Sequence, residues 1–131
     1  ISEKDVLNVL AIVMRKYPVD RKRVFLMGHF MGAGGAWYLG AKYPELWRAI
    51  ATMSGPFVLE KGYPWDALKN KPVFISDGSL SRSLTASREL ASFLDKRGFN
   101  YKYEEVKGDQ SGMVPLVLPD IFDFFDKCNN N

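Results

Sequence analysis

Val24-Phe25-Leu26-Met27-Gly28-His29-Phe30-Met31-Gly32-Ala33-Gly34-Gly35-Ala36-Trp37 changes character halfway along. The first four residues form an apolar run that ends at a glycine, which reads as a strand buried on both faces. Small residues follow, and then an apolar pattern at helical spacing. The stretch reads as a strand that turns sharply into a helix. Glycines at a helix start cost up to about 1 kcal/mol each against alanine. Gly32, Gly34 and Gly35 therefore need a reason, and close approach of the backbone to a strand or ligand is the expected one.

Upstream, Ser2-Glu3-Lys4-Asp5 opens a helix, with Ser2 as its cap and acids that suit the helix dipole. Val6, Leu10, Val13, Met14 and Tyr17 recur at helical spacing, and Pro18 ends the run. Downstream, the helix from Met31 to Lys42 closes at Tyr43-Pro44-Glu45. A second strand, Ala49-Ile50-Ala51-Thr52-Met53, ends at Ser54-Gly55-Pro56. Residues 57–71, with Phe57, Tyr63, Pro64 and Trp65, read as an ordered loop carrying a short helical turn. Pro72-Val73-Phe74-Ile75-Ser76 is a third strand, followed by Asp77-Gly78. A helix from Leu84 to Arg97 turns Leu84, Leu90, Phe93 and Leu94 inward and stops at Gly98. Tyr101 to Val106 alternates polar and apolar residues, the pattern of an edge strand. A loop over 107–112 leads to a last helix from Val114 to Lys127, with Pro119 near its first turn.

Strands that alternate with helices give an α/β fold class: three layers, with a mostly parallel sheet of about four strands and helices on both faces. At 131 residues the chain reads as one domain over 1–128, with Asn129-Asn130-Asn131 as a disordered tail. A hydrophobic fraction of 47% is enough for a core, and a charged fraction of 25% is ordinary for a soluble protein. The net charge of +3 is mild and the basic residues are scattered, so no nucleic-acid partner is expected. No apolar run reaches about 18 residues, and no basic segment precedes an apolar one at the start, so neither a membrane span nor a signal peptide is read. Cys128 is the single cysteine and His29 the single histidine, so no internal disulfide, metal site or cofactor is expected.

The turn after the first strand has the frame of a nucleophile elbow, G-x-S-x-G. Gly28 and Gly32 hold the outer positions, and the centre is Phe30 instead of serine. With residues 24–35, Tyr43-Pro44-Glu45-Leu46-Trp47, Met53-Ser54-Gly55, residues 72–78 and the closing helix, the chain resembles the α/β-hydrolase family. It is most similar to the feruloyl-esterase, polyhydroxyalkanoate-depolymerase and dienelactone-hydrolase branch, and to the C-terminal half only.

The resemblance implies a Ser-acid-His triad, and each of its positions carries another residue. Phe30 stands at the nucleophile. Ser81 stands where the acid of a His-Gly-x-x-Asp pattern belongs, in Asp77-Gly78-Ser79-Leu80-Ser81. Gln110 stands at the histidine, in Gly108-Asp109-Gln110-Ser111. Phenylalanine has no nucleophile, glutamine takes up no proton near neutral pH, and serine brings no charge to steady an imidazolium. The amide of Met31 would supply one oxyanion donor, and the family's other donor comes from a half that the resemblance does not cover.

These features lead to the expectation of a non-catalytic α/β-hydrolase-like domain, an engineered or degenerate esterase scaffold. A weak ester hydrolase using Ser79 or Ser81 with Asp77 or Asp109 is the alternative. The strand Val24-Phe25-Leu26-Met27 would be an exposed apolar edge, which natural proteins avoid. Self-association through it, with a dimer favoured, is therefore expected. His29 reads as support for the elbow. Phe30 is expected either to plug the old cleft as core or to sit on a relaxed elbow. Ser79, Ser81 and Ser83 with Arg82 read as a polar loop, with an anion site as the other reading.

Overall fold

The computed structural model describes residues 3–55 and 62–128 of the chain. β1 (Phe25–His29), β2 (Ala49–Met53), β3 (Val73–Gly78) and β4 (Tyr101–Val106) form one sheet in the order β1-β2-β3-β4. Every pairing is parallel. α1 (Glu3–Lys16), α2 (Met31–Lys42), α3 (Leu84–Lys96) and α4 (Val114–Cys128) surround it. No helix among the described residues is long and apolar enough to cross a membrane.

Successive side chains of a strand point to opposite faces, and the core divides accordingly. Ile50, Val73 and Ile75 pack on one face with Ala36 and Trp37 of α2, Leu90 and Leu94 of α3, and Trp65 and Leu68 of the 3-10 turn Trp65–Leu68. Ala49, Ala51, Met53 and Phe74 pack on the other face with Val117, Ile121 and Phe125 of α4. Phe25 stacks on Phe125 with ring centroids 4.4 Å apart. The crossovers between strands thus cover one face, and α4 covers the other. β2 and β3 are buried along their whole length, while β1 and β4 are the edges.

Several boundaries differ from the sequence reading. β1 begins one residue later than Val24, although the Val24 carbonyl still accepts from Arg48 N at 2.7 Å. β3 runs past Ser76 to Gly78, through Asp77, which is charged and fully buried. Pro119 lies inside α4 instead of in its first turn, and Pro115 takes the place near the helix start. Ser2 as a cap, the tail at 129–131 and the loop start at 57–61 lie outside the described residues.

The glycines at the elbow do different work from one another. A Cβ on Gly28 would lie 2.1 Å from the Gly32 carbonyl oxygen, so β1 can meet α2 only through glycine there. Gly32 and Gly35 face open space, so close approach does not explain them. Together with Gly34 they line a groove of about 510 Å³ beside Val6, Leu26 and Met27.

Candidate functional site

In the register of β1 on β2, His29 pairs with Met53. The next residue of each strand, Phe30 and Ser54, has positive φ, at 57° and 62°. Phe30 is the residue before α2, with ψ −112°. Its N–H donates to the Met53 carbonyl at 2.9 Å, and its carbonyl accepts from Ala33 N at 3.0 Å. Non-glycine residues in such conformations cost of order 1–3 kcal/mol and persist where the surroundings hold them. The elbow therefore keeps its strained shape with phenylalanine in it, and has not relaxed. Phe30 is half-buried and forms a wall of a cleft; it is not part of the core.

That cleft, of about 820 Å³, lies at the C-terminal ends of the strands. Phe30, Ser81 and Gln110 all border it, with Ser54, Ser83 and Arg82. The three positions matched to a triad thus converge from 30, 81 and 110 in the chain. His29 stands behind the elbow and donates from Nε2 to the Gln110 carbonyl at 2.6 Å, tying the elbow to the loop before α4. The carbonyl is acceptor-only, which fixes the proton on Nε2. Met31 opens α2, where the first-turn amides have no carbonyl within the helix to bond.

The acid side of the cleft is a hydroxyl network around Asp77. Asp77 is fully buried at the end of β3. Its Oδ1 accepts from Gly78 N at 2.8 Å, and its Oδ2 accepts from Ser83 Oγ and Ser87 Oγ, each at 2.6 Å. Ser83 Oγ also accepts from Gly55 N at 3.0 Å and lies 2.9 Å from Ser54 Oγ and 3.0 Å from Ser81 Oγ. Ser54 Oγ and Ser81 Oγ are 3.2 Å apart. Because Ser83 gives its proton to Asp77, Ser54 and Ser81 can only donate toward Ser83 or to each other. The chain of hydroxyls thus runs from the cleft inward to a carboxylate.

Ser79 and Asp109 do not join this network. Ser79 Oγ accepts from Gly108 N at 3.4 Å. Asp109 Oδ1 accepts from Ser111 N at 3.1 Å and Gly112 N at 2.6 Å, which shapes the turn into α4. The sequence reading missed Ser54 and Ser87 as parts of the site. Ser54 had a signal, since it follows β2 as Phe30 follows β1. Ser87 had none, because it reads as an ordinary helical serine. Among the described residues no group of three or more His, Cys, Asp or Glu could hold a metal ion.

Strand, strained elbow, helix and the loop before α4 meet at one cleft, and the sequence matches the putative esterase family over residues 7–90. The chain belongs to that family. Its fold is the α/β-hydrolase fold, and similar solved structures agree. S-formylglutathione hydrolase FrmB from Staphylococcus aureus matches with a TM-score of 0.69 at 19% identity, over 83% of this chain and 54% of that one. The Bacillus cereus carboxylesterase matches with a TM-score of 0.67 at 23% identity, over 95% of this chain and 59% of that one. A SOBER1 variant from Arabidopsis thaliana matches with a TM-score of 0.70 at 23% identity, over 98% of this chain and 66% of that one. At these identities the likeness carries the fold. The chain spans a little over half the length of the two bacterial hydrolases. No curated protein sequence matches it.

Proposed function

We propose that this esterase-family domain is non-catalytic: it keeps the elbow and the cleft, lacks triad chemistry, and self-associates through the free edge of β1. The observation that carries the reading is the cleft wall itself. At the strained turn stands Phe30, across from Gln110 and Ser81, so no nucleophile–imidazole pair lies there. The one imidazole of the chain, His29, is bonded to a backbone carbonyl.

The test is turnover of p-nitrophenyl acetate. The native chain is expected to match buffer. Loss of one triad member already costs several orders of magnitude, so a saturable native rate on the order of 10 s⁻¹, ordinary for an enzyme, would refute the reading. Phe30→Ser with Ser81→Asp and Gln110→His is also expected to stay feeble, because Met31 is the one oxyanion amide assigned among the described residues and a full hole needs more.

A second reading is a slow ester hydrolase with Ser81 as nucleophile and Asp77 as proton acceptor. It is favoured by the hydroxyl chain through Ser83, which ends 2.6 Å from Asp77 Oδ2. Asp77→Asn separates the two: it abolishes any slow hydrolysis in this reading and leaves a buffer-level rate untouched in the first.

Self-association rests on the edge. β1 pairs with β2 alone among the described strands, and Met27 on it is 41% exposed. A groove lies on either side: one of about 580 Å³ bordered by Phe25, Phe122 and Phe125 with Asp20, Arg23 and Asp126, and the more apolar groove under α1. A second copy pairing across β1 would set two four-stranded sheets side by side and cover both grooves.

A further inference from the structure

At the opposite, N-terminal ends of β1, β2 and β3 lies a second cleft, of about 630 Å³. Five cations border it, Arg21, Lys22, Arg23, Arg48 and Lys71, against three carboxylates. One of those carboxylates, Asp20, accepts from the backbone N–H of Lys22 at 2.9 Å and keeps its charge at the mouth of the cleft. The inner wall is made by Arg48 and Lys71, both partly buried. Their donors go to main-chain carbonyls: Arg48 Nη2 to Cys128 O at 2.5 Å and Lys71 Nζ to Trp47 O. Neither forms an ion pair among the described residues. Burial and then the Arg48 charge hold the Lys71 amine below its usual range, with Glu45 offsetting part of this. Two cations thus face one cleft with neither in a direct ion pair among the described residues, and an anion between them would favour both.

We propose that this cleft binds the phosphate group of a small phosphorylated ligand, with Arg48 and Lys71 at its inner wall and Arg21 and Lys22 at its mouth. A phosphate suits the set better than a single carboxylate does. It carries more charge and three oxygens, which several separated donors can share, and an arginine fork can take two of them. The volume exceeds that of a bare phosphate and leaves room for the group attached to it. The inference does not depend on what happens at the Phe30 cleft.

Titration with inorganic phosphate at constant ionic strength, with chloride as the balancing anion, tests it by calorimetry and by ¹³C NMR of the lysine Cε signals. Saturable binding is expected, with the Lys71 titration midpoint moving up at saturation. Lys71→Gln and the double variant Arg21→Gln with Lys22→Gln are each expected to weaken binding about tenfold. The double variant changes only an exposed turn, so it decides the matter if Lys71→Gln fails to fold. Binding that does not saturate, or that survives the double variant unchanged, overturns the proposal.

Discussion

Phe30 shows that a strained strand-to-helix turn can be held with a phenylalanine in it. Its positive φ is held by the bond to Met53 and by close contact with Gly55, where an added Cβ would sit 2.6 Å from the Phe30 carbonyl oxygen. The elbow depends just as strongly on Gly28. Gly28→Ala forces a methyl into the Gly32 carbonyl, and a loss of about 3 kcal/mol is expected in chemical denaturation. Glu104 gives a pH-dependent prediction. Burial, and next the Asp120 carboxyl beside it, push its pKa up from 4.5 to about 7. Its Oε2 is buried with no hydrogen-bond partner. The folded value stands above the unfolded one, so the folded chain holds the extra proton between those two pH values. Stability contributed by Glu104 is full below pH 4.5 and is lost as pH rises through about 7. Denaturation midpoints measured across that window are expected to flatten in Glu104→Gln. At this scale the family resemblance singled out Phe30, Ser81 and Gln110, and all three border one cleft. The bonds from Ser83 and Ser87 to Asp77, and from Ser54 to Ser83, were not legible, since they arise only where β2, β3 and α3 meet.

The elements differ sharply in how deeply they are anchored. Every residue of β2 and β3 is buried, whereas α1 buries none. α1 is tied down at its start, where Glu3 accepts from Tyr43 Oη at 2.6 Å and Lys42 Nζ at 3.0 Å. The Tyr43 hydroxyl first, and Lys42 second, hold the Glu3 carboxyl down at about 2. These are exposed contacts and of small worth in stability. Amides of α1 are therefore expected to exchange roughly a hundredfold faster than those of β2 and β3 in native-state hydrogen exchange. Equal protection would mean that α1 is packed more firmly than its exposed stripe implies. Apolar periodicity placed every strand and helix within a few residues. It stopped short at the end of β3, where Asp77 is a buried polar group satisfied by hydrogen bonds that a hydrophobic pattern does not register.

At the scale of the whole sheet, the described strands present two unlike edges. β4 buries no residue fully and exposes Lys102 and Glu105, and Glu105 carries an ion pair with Arg88. β1 is apolar and flanked by grooves on both faces. Unpaired apolar edges invite strand pairing, and inward or edge charges block it. Light scattering after size exclusion is expected to give a dimer mass, and Met27→Lys a monomer. A monomer at all concentrations would refute pairing through β1. The alternation of strands and helices was enough to read the parallel sheet from the sequence, and the polar–apolar pattern of residues 101–106 marked β4 as an edge. What covers an edge depends on a partner surface, and no residue pattern within one chain encodes that directly.

Whether any reacting atom remains in the Phe30 cleft can be read in one step. Intact-mass analysis after treatment with a fluorophosphonate, which labels activated serines, gives the answer. The native chain is expected to keep its unmodified mass. A stoichiometric adduct mapped to Ser81 or Ser54 would contradict the non-catalytic reading and make the hydroxyl chain to Asp77 a working site.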